Sequence, residues 1–109
     1  MITTKYNAND IVTLKLSTGE EVIGYFVSKD PSGITMRKPL VPVPTGDNSM
    51  GLAPYLMTSD YLSTGEEVRF NLVNVVTDVK TVKQIADVYV QQVSGINLSA
   101  ATNSKILST

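Results

Sequence analysis

The 109-residue chain has no cysteine and no histidine. The first absence excludes disulfides and thiolate metal sites, and it fits a reducing compartment. The second removes the commonest general base, the commonest metal ligand and the usual partner of a nucleophilic serine. No apolar run is long enough to cross a bilayer, so no membrane partner is expected. The opening Met1-Ile-Thr-Thr-Lys-Tyr6 has neither the positive region nor the apolar core of a secretion signal, and a cytoplasmic location is expected. Charge of one sign is also lacking. Nine basic and ten acidic residues leave a net charge of −1, and the longest basic cluster is Arg37-Lys38, whose side chains point to opposite faces in a strand. That balance argues against non-specific duplex binding and leaves base-selective binding of single-stranded RNA open.

Catalytic and cofactor patterns are equally sparse. The carboxylate pairs Glu20-Glu21 and Glu66-Glu67 both follow turns, where charges are simply solvated. The glycines at 19, 33, 46, 51 and 65 are isolated turn glycines rather than a phosphate-cradling loop. Asp47-Asn48-Ser49 lacks the ligand count of a calcium loop. No enzyme, metal or cofactor is expected.

What is present is a pattern of strands. The length supports one domain, placed at residues 1–96, followed by a polar tail at 97–109 in which only Ile106-Leu107 could dock. Val12, Leu14 and Leu16 alternate with polar residues, and Ser17-Thr18-Gly19 makes a turn. The second strand, Glu21 to Lys29, is apolar on both faces, with Val22 and Phe26 on one and Ile23, Tyr25 and Val27 on the other. Gly24 inside it marks a sharp bend or a close backbone approach. After Asp30-Pro31-Ser32-Gly33, a third strand runs from Ile34 to Val43, and Pro39, Pro42 and Pro44 predict that its end lies on an edge or leaves the sheet. Gly51 to Thr58 is a weaker strand candidate because of Pro54. Val68, Phe70 and Leu72 alternate, a break follows at Val73-Asn74, and Val75 to Lys80 is rich in β-branched residues.

The period then changes. Val82, Ile85, Ala86, Tyr89, Val90 and Val93 lie on one helical stripe, which predicts an α-helix over about 81–94 with Thr81 as N-cap and Ser94-Gly95 as stop. Leu-Ser-Thr-Gly-Glu-Glu-Val occurs twice, at Leu16–Val22 and Leu62–Val68. Two hairpin turns of the same chemistry explain the repeat better than a duplicated ligand loop. Met50, Met57, Tyr55 and Tyr61 could form a stacking surface, although core or subunit interface is the more ordinary reading.

Val12-x-Leu14-Lys15-Leu16, Gly19, Val22-x-Gly24-x-Phe26 and Asp30 resemble the first motif of the Sm-like (Lsm and Hfq) RNA-binding ring family. Phe70-Asn-Leu-Val-Asn74 followed by Val75–Val79 resembles the second, and Gly51–Met57 and Ala86–Ile96 look like segments of phage-encoded, particularly cyanophage, members. The resemblance implies a mainly β fold: a small, strongly bent, five-stranded antiparallel barrel, here with a C-terminal helix. It also implies a homo-oligomeric ring in the cytoplasm of an infected bacterial host, binding single-stranded RNA at pore-side loops. By similarity Lys29, Asp30, Ser32 and Asn74 would contact RNA. Val68, Phe70 and Leu72 of one subunit would face Val75, Thr77 and Val79 of the next. The chain departs from the pattern in lacking a helix before the first strand. Ile34 stands where the family has a base-holding asparagine, and Leu72-Val73-Asn74 replaces an arginine-glycine pair. The alternative is a ring that acts as a structural module or binds host or phage proteins, without nucleic acid.

Overall fold

The computed structural model describes residues 5–98. They form strands β1 (Ile11–Leu16), β2 (Glu21–Asp30), β3 (Gly33–Gly46), β4 (Ser49–Pro54), β5 (Glu67–Asn71) and β6 (Val75–Lys80). A one-turn helix α1 (Tyr61–Thr64) precedes β5, a 3-10 turn at Leu72–Asn74 joins β5 to β6, and α2 (Lys83–Leu98) follows. All strand pairs are antiparallel. They make one open six-stranded sheet in the order β4-β3-β2-β1-β6, with β5 also on β3. The mainly β fold with a C-terminal helix is as expected, but six strands stand where five were expected, and closure into a barrel is not shown, since β5 and β6 form no ladder with each other among the described residues.

The sixth strand is the weaker candidate at Gly51 to Thr58, which forms as β4, and the proline-bearing end of β3 lies on an edge as expected. β3 pairs with β5 from Gly33 to Arg37, then with β4 from Leu40 to Gly46. Its ladder to β2 ends at Leu40, so beyond that point β3 has a neighbour on one side only. Pro42 and Pro44 are tolerated there because their missing amides can face the open side. The change of partner coincides with a kink, where Lys38 takes a left-handed φ of 54°. Helical elements catch the carbonyls freed at that kink. Tyr89 of α2 donates its hydroxyl to the Lys38 carbonyl at 2.6 Å, and the Tyr61 hydroxyl donates to the Pro39 carbonyl.

Gly24 sits against the same kink. A Cβ there would lie 2.9 Å from Met36 Cε, 3.2 Å from Pro39 Cα and 3.3 Å from the Arg37 carbonyl oxygen. The β2–β3 register shifts between Ile23 and Tyr25. The glycine therefore serves a close backbone approach at an irregularity in the ladder.

The two apolar faces of β2 feed two clusters. Val22 and Phe26 join Val12, Leu14, Leu16, Ile34, Met36 and Phe70. Ile23 joins Leu40, Leu52, Tyr89 and Val93, with Tyr25 packed alongside. α2 thus covers the sheet face opposite the first cluster through Ile85, Tyr89 and Val93 of the predicted stripe, whereas Val82 and Val90 are exposed. It begins at Lys83, two residues later than expected, and runs through Gly95 to Leu98. Thr81 is tied to β1 instead, its hydroxyl 2.8 Å from that of Thr13 and its amide donating to Ile11. No helix among the described residues is long and apolar enough to cross a membrane. Most of the tail at 97–109, with Ile106-Leu107, lies outside the described residues.

The repeated heptapeptide takes two shapes. In its first copy Gly19 (φ 98°) turns the β1–β2 hairpin, its amide donating to the Leu16 carbonyl. In the second, Leu62–Thr64 is helical and Gly65 (φ 77°) ends α1 as a left-handed cap, correcting the expectation of a second hairpin. Both copies need a glycine at positive φ.

Candidate functional site

Two hairpin turns converge on the 3-10 turn. The Leu72 amide donates to the Ser32 carbonyl at 3.0 Å, and the Asn74 carbonyl accepts from the Ser17 amide at 2.8 Å. The β2–β3 turn, the β1–β2 turn and the β5–β6 connection are therefore fastened together, which brings Asp30, Ser32 and Asn74 to one region.

Asp30 is the hub of the β2–β3 turn. Its Oδ1 accepts from the Ser32 amide (2.9 Å), the Ser32 hydroxyl (3.0 Å) and the Gly33 amide (2.9 Å). Arg69 on β5 grips the same carboxylate with both guanidinium nitrogens, Nη1 to Oδ2 and Nη2 to Oδ1, each at 2.9 Å. Arg69 Nη2 also donates to the Ser32 hydroxyl at 2.7 Å. The guanidinium, followed by the Ser32 amide, holds the Asp30 carboxyl well below the usual carboxylate range. Gly33 makes room for this grip, because a Cβ there would fall 2.6 Å from Arg69 Cζ. Arg69 was absent from the residues singled out in the sequence. It is the lone basic residue on the outward side of β5, and only the β3–β5 pairing reveals its partner 39 positions away.

Lys29 is engaged elsewhere. Its Nζ lies 3.4 Å from Asp78 Oδ1 on β6, with both side chains largely shielded from solvent. Tyr6 donates its hydroxyl to Asp78 Oδ2 at 2.8 Å and packs against Phe26 in the core. Burial, reinforced by Asp78, pushes the Tyr6 hydroxyl well above its ordinary pKa. Asn74 is exposed, and no side-chain hydrogen bond ties it to another described residue. Of the four candidate RNA contacts, then, three are held by neighbours within the chain and one is free.

The candidate interface residues divide between core and surface. Phe70 is buried in the first core cluster, and Val68, Leu72 and Val75 pack against it. Thr77 and Val79 are exposed, along with Val73 and Val76 at 86% and 67% exposure. The Met/Tyr group also divides: Tyr61 is buried and Tyr55 stacks at 5.1 Å on Phe70, whereas Met50 and Met57 are exposed. No set of three or more acidic, histidine or cysteine side chains is placed to hold a metal ion among the described residues. The arrangement offers hydrogen-bonding loops and strand edges that lack a partner strand among the described residues.

No protein-family model matches the chain, and no curated protein matches it.

Proposed function

We propose that the chain is a non-catalytic, self-assembling β-module of Sm-like type, whose copies join by pairing the outer edge of β5 with the outer edge of β6 on the next copy. The observation that carries this reading is the state of those edges. Among the described residues β5 pairs with β3 alone and β6 with β1 alone. β6 is β-branched at Val75, Val76, Thr77 and Val79, with Val76 67% exposed and Val79 48% exposed. Unpaired backbone beside apolar side chains is a template for another strand, and closed assembly covers it.

The 3-10 turn supports the Sm-like part of the reading. A flat β2 of ten residues would hold its two end turns roughly 33 Å apart, whereas three residues of 3-10 helix advance only about 6 Å. That short element hydrogen-bonds to Ser32 beyond one end of β2 and to Ser17 near the other. Lys29 likewise reaches Asp78 across the intervening β1. Both contacts call for strong curvature, which is what a small Sm-like barrel requires.

Single-stranded RNA at the fastened loops is the second reading, favoured by their convergence and by the exposed Asn74. The internal satisfaction of Lys29, Asp30 and Ser32 and the net charge of −1 weigh toward an assembly or protein-interaction role.

Val76→Lys places a charge on the β6 edge without touching either core cluster. The variant should sediment as single chains with an unchanged circular dichroism spectrum, and an assembly of undiminished size would remove β6 from the interface. Labelled A-rich and U-rich oligonucleotides, as RNA and DNA, separate the two readings. Micromolar RNA binding lost on Asn74→Ala favours the loops.

A further inference from the structure

A cleft of about 330 Å³ opens beside the C-terminal end of β6, on the sheet face that α2 only partly covers. Ile23, Pro42, Met50, Val79, Val82 and Ile85 line it. Three of these are large apolar side chains with about half their surface free: Met50 at 55%, Val79 at 48% and Val82 at 58%. A second apolar feature stands on a different part of the chain. Between β4 and α1, Leu56 is 39% exposed and Met57 is 77% exposed. Neither feature has a partner within the described residues, and each is the kind of surface that marks a contact.

We propose that the Leu56–Met57 corner of one copy docks into the Val79–Val82 cleft of the next. The inference rests on the edge-pairing reading above and names a further contact within it. Its geometry comes from strand direction. Every pair in this sheet is antiparallel, and antiparallel ladders are slightly the more stable per residue. An antiparallel β5–β6 junction sets Glu67, where β5 begins, beside Lys80, where β6 ends. α1 lies just ahead of Glu67 and the Leu56–Met57 corner just ahead of α1, while Thr81 and Val82 of the cleft follow Lys80. β4, which leads into the corner, continues along the edge of β3 that β5 occupies. The junction therefore carries the exposed corner of one copy toward the exposed cleft of its neighbour. Methionine suits such a site, since its unbranched thioether adapts to an irregular apolar gap. A parallel junction would instead place the corner near Val75, away from the cleft.

The absence of native cysteine makes the test direct. Met57→Cys and Val82→Cys chains, coexpressed as single variants and oxidised, can form a mixed disulfide only between copies. Docking predicts a covalent dimer of the two variants on a denaturing gel, absent when either is oxidised alone. An intact assembly that yields no mixed disulfide would overturn the docking while leaving edge pairing in place. Wild-type chains that sediment as monomers would overturn both. Leu56→Lys with Met57→Lys supplies a second readout. These exposed substitutions should raise the concentration at which the assembly dissociates by tenfold or more, and an unchanged dissociation curve would also reject the contact.

Discussion

At the scale of single residues, the chain needs Gly24 for reasons of space rather than φ. Gly24 faces backbone atoms of Pro39 and Arg37 as well as the end of Met36, so an added side chain cannot be absorbed by one flexible neighbour. Gly24→Val should cost about 1–3 kcal/mol through overpacking, and a denaturant midpoint equal to that of the wild type would contradict the close approach. Asp30 gives a pH-dependent prediction. Its folded pKa lies below the unfolded value of about 3.9. The stability it contributes is thus present in full above that value and is lost as pH falls toward the folded one. Asp30→Asn should accordingly remove part of the acid sensitivity seen in urea midpoints between pH 7 and pH 3. A variant whose midpoint falls as steeply as that of the wild type would show that the Arg69 grip contributes nothing to folding. The Asp30–Arg69 pair was invisible in the sequence, because nothing local marks a partner 39 residues away on a strand whose neighbour was unknown.

Among the elements, those with a clean period were legible. β1 follows its alternation, β6 matches Val75 to Lys80, and Ile85, Tyr89 and Val93 of the predicted stripe face the sheet, though Val82 and Val90 do not. The sequence marks β4 only weakly, as Gly51 to Thr58, because Pro54 lies within it. Prolines end a strand only where both neighbours demand hydrogen bonds, and β4, which ends at Pro54, pairs with β3 alone among the described residues. The helix boundaries moved because tertiary contacts outweighed local signals: Thr81 binds Thr13 and Ile11 rather than capping, and α2 passes through Gly95. The repeated heptapeptide shows the same limit, since identical residues make a hairpin in one place and a helix end in another. α2 also secures the β3 kink. Tyr89→Phe keeps the buried ring but removes the hydroxyl from the Lys38 carbonyl. It should lower stability by about 1 kcal/mol, read as a shift in the chemical denaturation midpoint, and no shift would mean that the kink does not need this bond.

At the scale of the whole molecule, the open sheet presents two edges, and the exposed valines of the 3-10 turn and β6 lie along one of them. A single chain leaves that backbone and apolar surface in water, and the proposed edge pairing would cover both. The candidate loops were legible in the sequence through their turn residues. Their state was not, because the ties of Lys29 to Asp78 and of Asp30 to Arg69 depend on how the strands are ordered. The most direct test is the mass of the wild-type chain by sedimentation equilibrium at micromolar concentration and moderate salt. Edge pairing predicts a discrete species several times the mass of one chain, reduced to a single chain by Val76→Lys. A wild-type protein that remains monomeric across that range would contradict it.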